Sequence, residues 1–189
     1  MPLPYSILPP ERWGKMGIHS GVLLSEYDPA TRTVRREAIL GATDGPVTFS
    51  ARAVPADLGA GVAPGPVMQL MGPARWDVRL SGTLITADTD ATRRLLALAD
   101  ADDGVVTPRL MPDIAADFDD LWFVIDYGVN HAADNPGGYV IHMRNALSTG
   151  GLRVVARPGR RTRWPFEFSA CFSLDRPREV PVEVVVQGE

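Results

Sequence analysis

Apolar and polar residues alternate along this chain mostly with period two, and the clearest run lies mid-chain. Between Ala74 and Ala87, Trp76, Val78, Leu80, Gly82 and Leu84 fall on one face. Arg75, Asp77, Arg79, Ser81, Thr83 and Ile85 fall on the other. That is the pattern of a half-buried strand. Asp88, Thr89 and Asp90 follow, and their side-chain oxygens suit them to accept the free amide protons of a first helical turn. Thr92, Leu95, Leu96 and Ala99 then share a helical face, so the spacing predicts an amphipathic helix over about 89–100. Gly104 reads as the stop beyond it, with Asp100, Asp102 and Asp103 crowding the negative end of the helix dipole.

The same reading extends to both sides. Met1–Lys15 has four prolines and little periodicity, and reads as an extended arm ahead of a single domain over 16–189. Ile18–Tyr27 and Thr33–Leu40 read as a hairpin about the Asp28-Pro29-Ala30-Thr31 turn, and Val47–Val54 as a third strand. Pro55–Pro73 reads as a long inter-strand loop, rich in glycine and proline but ending in Val67, Met68, Leu70 and Met71. A loop of that length without structure of its own is uncommon. Its apolar end suits docking on another subunit, the plainer alternative being a connection folded back on its own core. Asp119–Val129 is apolar on both faces, which predicts a central or covered strand. Tyr139–Leu147, Leu152–Ala156 and Val182–Val186 are further strands. Trp164–Leu174 puts Trp164, Phe166, Phe168, Ala170, Phe172 and Leu174 on one side. Nine or ten strands and one helix predict a mainly β sandwich or barrel with the helix covering an edge or end.

Composition narrows the classes. The 189 residues suffice for one domain with a real core. Hydrophobic content of 45% excludes a disordered chain, and 17 prolines with 18 glycines favour strands and turns over a helix bundle. A net charge of −4 gives no overall basic footprint for nucleic acid. Cys171 is the lone cysteine, so an internal disulfide and a multi-thiolate zinc cage are excluded; within an apolar strand it reads as filler. Met1–Trp13 lacks a basic region followed by an apolar core, and no apolar run approaches the roughly 20 residues of a membrane span. The expectation is a soluble protein made in a cytoplasm.

Motifs of known chemistry are missing. There is no G-x-S-x-G elbow, no P-loop and no G-x-G-x-x-G, and no catalytic residue, cofactor or metal is expected. His19, His131 and His142 are scattered over three elements. A metal site from His131 and His142 is conceivable, but surface or strand-face histidines are the default. Asp113, Asp117, Asp119 and Asp120 could supply a carboxylate pair for glycoside hydrolysis; a solvated acidic loop is the plainer reading. Arg153, Arg157, Arg160, Arg161 and Arg163 cluster about the Pro158-Gly159 turn. A nucleic-acid contact is possible there, though no aromatic residues are interleaved at the tip, and a solvated hairpin tip is the bland alternative. The preferred reading is an inter-subunit contact in which Arg157, Arg160 and Arg161 meet Asp100, Asp102 and Asp103 of an adjacent copy. Asp57, Val67, Met68, Leu70 and Met71 complete the candidate inter-subunit residues.

Several stretches, in order, resemble the major tail tube proteins of long-tailed (siphovirus-type) bacteriophages, particularly those of actinobacteria. Gly21-Val22-Leu23-Leu24-Ser25-Glu26-Tyr27-Asp28-Pro29 looks like the family's first strand and turn. Ile39-Leu40-Gly41-Ala42-Thr43-Asp44-Gly45-Pro46-Val47-Thr48-Phe49 looks like the turn into its next strand. Trp76–Leu84 with the helix Asp90–Ala99 looks like the following unit, and Trp164-Pro165-Phe166-Glu167-Phe168 like a late W-x-F-x-F strand. The likeness spans roughly residues 17 to 175. The resemblance implies a β-sandwich with one flanking helix, assembled into hexameric rings that stack into a hollow tube in the virion. A tape-measure protein would fill the lumen, tail terminator and distal tail proteins would meet the tube ends, and DNA would pass through without sequence-specific binding. The arm Met1–Lys15 and the loop Pro55–Pro73 would carry contacts between rings. The alternatives are another β-sandwich virion component, such as a distal tail or decoration protein, and, from a different class, a carbohydrate-binding module or small hydrolase.

Overall fold

The computed structural model describes residues 21–58, 67–126 and 138–187. The arm Met1–Lys15, the start of the Ile18–Tyr27 strand, the glycines between 59 and 66, His19 and His131 lie outside them. The strands are β1 (Val22–Leu24), β2 (Ile39–Ala42), β3 (Thr48–Asp57), β4 (Met71–Leu84), β5 (Ala99–Asp102), β6 (Val105–Pro108), β7 (Asp119–Asp126), β8 (Gly138–Ser148), β9 (Trp164–Ala170) and β10 (Val182–Gln187). Helix α1 (Thr89–Leu96) follows β4, and a single helical turn α2 (Ile114–Asp117) precedes β7.

The chain is mainly β, with one large antiparallel sheet and one substantial helix. Its sheet has eight strands in the order β2-β1-β7-β8-β9-β4-β3, with β10 also pairing β8. The sheet curls until its β2 end reaches β4. Thr43 bridges Leu84 there, the Asp44 amide donates to the Thr83 carbonyl at 2.9 Å, and the Ile85 amide donates to the Ala42 carbonyl at 3.0 Å. Gly41 belongs to this seam: a Cβ on it would lie 2.5 Å from the Thr86 carbonyl oxygen, so the two strands approach this closely only without a side chain.

Inside the curl, alternate residues of six strands meet. Leu23, Leu40, Val78, Leu80, Leu84, Leu121, Phe123, Ile141, Met143, Phe166 and Phe168 form one buried cluster, and Ala91 and Leu95 of α1 close it. Burying each large side chain contributes roughly 1.5–3 kcal/mol. The face of β4 predicted to be inward is the buried one. Gly82 lies opposite Phe166 in the β4–β9 ladder, and a Cβ there would come within 2.9 Å of that ring. β7 is central, between β1 and β8, and its second face is covered too: Trp122 and Val124 pack with Leu24, Tyr27 and Val140.

Helix α1 begins as expected, with the Asp88 carboxylate accepting from the Ala91 amide at 2.8 Å. It ends four residues early. Ala97 takes a positive φ of 70°, and Ala99–Asp102 becomes β5, paired with β6. Asp103 and Gly104, at φ 44° and 79°, form the tight Asp-Gly turn between them. Two successive positive φ values suit a two-residue hairpin and match the twist of its strands. Asp100, Asp102 and Asp103 are therefore hairpin residues and do not burden a helix end.

Other strand boundaries move as well. The strand expected over Thr33–Leu40 begins only at Ile39, after a 3₁₀ turn at Arg36–Ala38. The strand expected at Ala74 starts at Met71 and ends at Leu84, and its partner β3 runs on to Asp57, so most of the described part of Pro55–Pro73 is hairpin. Leu152–Ala156 contributes a lone bridge, Val155 to Arg163. The aromatic strand stops at Ala170, and Leu174 is 95% exposed. Its partner explains this: β8 bulges at Asn145, which has φ 49°, and the last pair of the β8–β9 ladder is Ala146 with Ala170. The bulge lets one half of β8 pair with β10 and the other with β9. Cys171 thus lies just past the strand, half-buried; burial pushes its thiol pKa up, away from the reactive thiolate.

Candidate functional site

The most conspicuous surface feature is the β3–β4 hairpin. β4 pairs with β9 only from Arg79 to Leu84, whereas its ladder with β3 runs outward to Met71 and Asp57. From Arg75 outward to Met71, β4 has a single neighbour among the described residues, over roughly 14 Å at about 3.4 Å per residue. All of Ala51–Leu58 is exposed, as are Met71, Pro73, Ala74 and Arg75. An isolated two-stranded ribbon is marginal in water, and β3 ends the strand order, leaving an open edge.

The described end of this ribbon is apolar. A 3₁₀ turn, Met68–Leu70, leads into β4, and the Leu58 amide donates to the Leu70 carbonyl at 3.0 Å. Met68 is 79% and Leu58 71% exposed, with Leu70 and Met71 partly so. The candidates Asp57, Val67, Met68, Leu70 and Met71 are thus gathered at one tip. Leu58 joins them; its place opposite Leu70 follows from the ladder and could not be read from a segment taken as loop.

The second candidate set stays divided. Asp100 is already engaged: its carboxylate lies 2.9 Å from Arg109 Nε. Asp102 and Asp103 stand exposed at the β5–β6 turn, with no cation beside them among the described residues. Arg157, Arg160, Arg161 and Arg163 line a cleft of about 510 Å³ with Asp44, Val155 and Gly159. Arg163 is paired there, 2.8 Å from Asp44.

The acidic stretch before β7 is not the solvated loop expected. Asp113 caps α2, accepting from the Ala115 amide at 3.0 Å. Asp117 is buried and takes Arg109 Nη2 at 2.5 Å and the Asp113 amide at 2.7 Å. Asp119 accepts from Arg93 at 2.8 Å and lies 3.1 Å from Arg94. For Arg93, burial works against the charge, but the bonds to Asp119 and Asp90 outweigh it and raise its pKa. These carboxylates hold α1, the β5–β6 hairpin and α2 together.

A polar cavity of about 500 Å³ that sequence reasoning missed lies on the outer face of β8, lined by Asp120, His142, Arg144, Asn145, Asp175 and Glu179 among others. His142 stacks on Trp122, its cross-strand partner, with centroids 3.6 Å apart and planes 4° from parallel. Its Nε2 lies 2.9 Å from Asp120 Oδ2. Arg144 bonds Glu179 at 3.0 Å, and also Glu183. His142 and Trp122 stand 20 residues apart and meet through the β7–β8 register alone. Among the described residues no three His, Cys, Asp or Glu side chains converge to hold a metal ion, and no helix is long and apolar enough to cross a membrane.

No protein-family model matches the chain. No curated protein matches it either, and no solved structure does.

Proposed function

We propose that this protein is a structural subunit that assembles with copies of itself into rings, and that the rings stack into the hollow tail tube of a long-tailed bacteriophage. The observation that carries the self-assembly reading is the β3–β4 ribbon, which extends from the body with exposed faces, edges unpaired among the described residues, and an apolar described end. Covering Leu58, Met68, Leu70 and Met71 would contribute on the order of 5 kcal/mol per protomer, allowing for the area already hidden. Association costs at least about 4 kcal/mol in lost freedom, so one tip contact holds nothing firmly. Contacts repeated around a closed ring do, because each subunit is held twice. The ring-and-tube form, the lumen and the tape-measure, terminator and distal tail partners rest on the ordered resemblance of the four stretches described above. In this reading the chain is not an enzyme, carries no cofactor, and does its work in the virion. A distal tail or decoration protein would use the same ribbon, but as a single ring or a surface cap.

Negative-stain microscopy and sedimentation of the purified full chain test this together. Stacked rings or open tubes are expected as concentration rises, and M68D/L70D should shift the transition to higher concentration. Isolated rings that never stack would favour the distal tail or decoration reading. A protomer that remains monomeric at high concentration would overturn self-assembly altogether.

A further inference from the structure

We infer that the acidic turn of the β5–β6 hairpin of one copy seats in the arginine cleft of a neighbouring copy. This rests on the self-assembly reading and names one of its contacts. Arg157, Arg160 and Arg161 have no carboxylate partner among the described residues, and they share one short loop. Backbone bonds fix that loop at its neck, with the Val155 amide donating to the Arg163 carbonyl at 2.8 Å and the Arg163 amide returning to the Val155 carbonyl at 3.0 Å. At the tip the Arg160 amide donates to the Arg157 carbonyl at 3.1 Å, and Gly159 takes φ 69°. Like charges gathered on one loop repel one another, and an anion between them relieves that repulsion. Four arginines in one cleft favour an anion there, and among the described residues only Arg163 has a carboxylate partner, Asp44.

The occupant is on the same chain. Asp102 and Asp103 project from a two-residue turn closed by the ladder pairs Asp102 with Val105 and Asp100 with Thr107 behind it. The Arg109 amide closes the base of that hairpin on the Leu98 carbonyl at 2.7 Å. Arg109 holds Asp100, so the tip offers two carboxylates, not three. A narrow hairpin end carrying two adjacent carboxylates suits a cleft of about 510 Å³, and arginine can grip a carboxylate through two parallel hydrogen bonds. No ion pair joins tip and cleft within one chain. Nucleic acid is the weaker occupant. No aromatic side chain among the described residues lines the cleft for base stacking, and the chain's net charge of −4 opposes a polyanion. Two different, complementary patches on one subunit make a head-to-tail contact, the kind that generates rings.

Charge reversal tests the pairing, with the full chain and with circular dichroism confirming that each variant is folded. R160E/R161E and D102R/D103R are each expected to raise the concentration needed for assembly on the order of tenfold at low salt, and by less at high salt. The neutral variants R160Q/R161Q and D102N/D103N should shift it in the same direction by less. Mixing the two reversed proteins in equal amounts should restore assembly, since each then offers the other an opposite charge. If the wild type assembles and the reversals change nothing, the contact is wrong and self-assembly stands. If the reversals block assembly but the mixture does not restore it, tip and cleft meet other surfaces and the pairing is wrong. If R160E/R161E weakens binding to a short DNA duplex and leaves assembly untouched, the cleft serves nucleic acid instead. A wild type that never assembles removes both this contact and the reading beneath it.

Discussion

Arg109 and Asp117 should be the most costly ion pair in the chain to break, and to break asymmetrically. The Asp117 side chain has no exposed surface, whereas Arg109 keeps 22% of its own. Replacing Arg109 with Met leaves a fully enclosed carboxylate with only the Asp113 amide at 2.7 Å to stabilise it. Removing one partner of a buried pair costs about 3–5 kcal/mol, and Arg109→Met should fall in that range. Asp117→Ala leaves an arginine that still reaches water and Asp100 at 2.9 Å, so a charged hydrogen bond is lost without stranding a charge, at about 1–3 kcal/mol. R109M/D117L, which removes both charges, should be more stable than Arg109→Met alone. Urea unfolding at neutral pH, followed by circular dichroism at low protein concentration, measures all three, and unchanged m-values would show that the compared states are the same. A loss for Asp117→Ala equal to or above that for Arg109→Met would refute the reasoning, as would a double variant no more stable than Arg109→Met.

Two smaller perturbations test the fold locally. Gly41→Ala puts a methyl group 2.5 Å from the Thr86 carbonyl oxygen at the β2–β4 seam, and should cost about 1–3 kcal/mol by overpacking; thermal unfolding at the wild-type temperature would contradict the closed seam. The Asp28 carboxyl pKa is lowered by the Thr31 hydroxyl at 2.7 Å and then by the Ala30 amide at 2.9 Å. A carboxylate lowered in this way adds stability above its unfolded pKa and loses it as pH falls through the folded one. Thr31→Val should move the Asp28 titration upward in a carboxyl-detected NMR experiment, and an unmoved titration would remove the hydroxyl as its main cause.

Period-two alternation was enough to identify β4 and its inward face, because that strand has core on one side and water on the other, and apolar runs were enough to identify β7, β8 and β10 as strands. Asp88 as a helix cap was legible for a similar reason: capping is settled within three residues. The alternation in Trp164–Leu174 continued past the true end of β9, because a strand lasts only as long as its partner, and the Asn145 bulge that removes the partner is in another part of the chain. Asp103-Gly104 carried a strong local hairpin signal, but a preceding helical pattern outweighed it until Ala97 was seen to break the helix.

The sequence by itself determined a mainly β chain, its buried faces and the start of its helix, since these depend on neighbours within a few residues. Closure of the sheet at Gly41, the stacking of His142 on Trp122, the burial of Asp117 against Arg109 and the bare reach of the β3–β4 ribbon were decided by tertiary structure. The seam, the stack and the ribbon depend on register between paired strands, where a shift of one residue turns side chains to the opposite face; the Asp117–Arg109 pair depends on how the end of the β5–β6 hairpin meets α2.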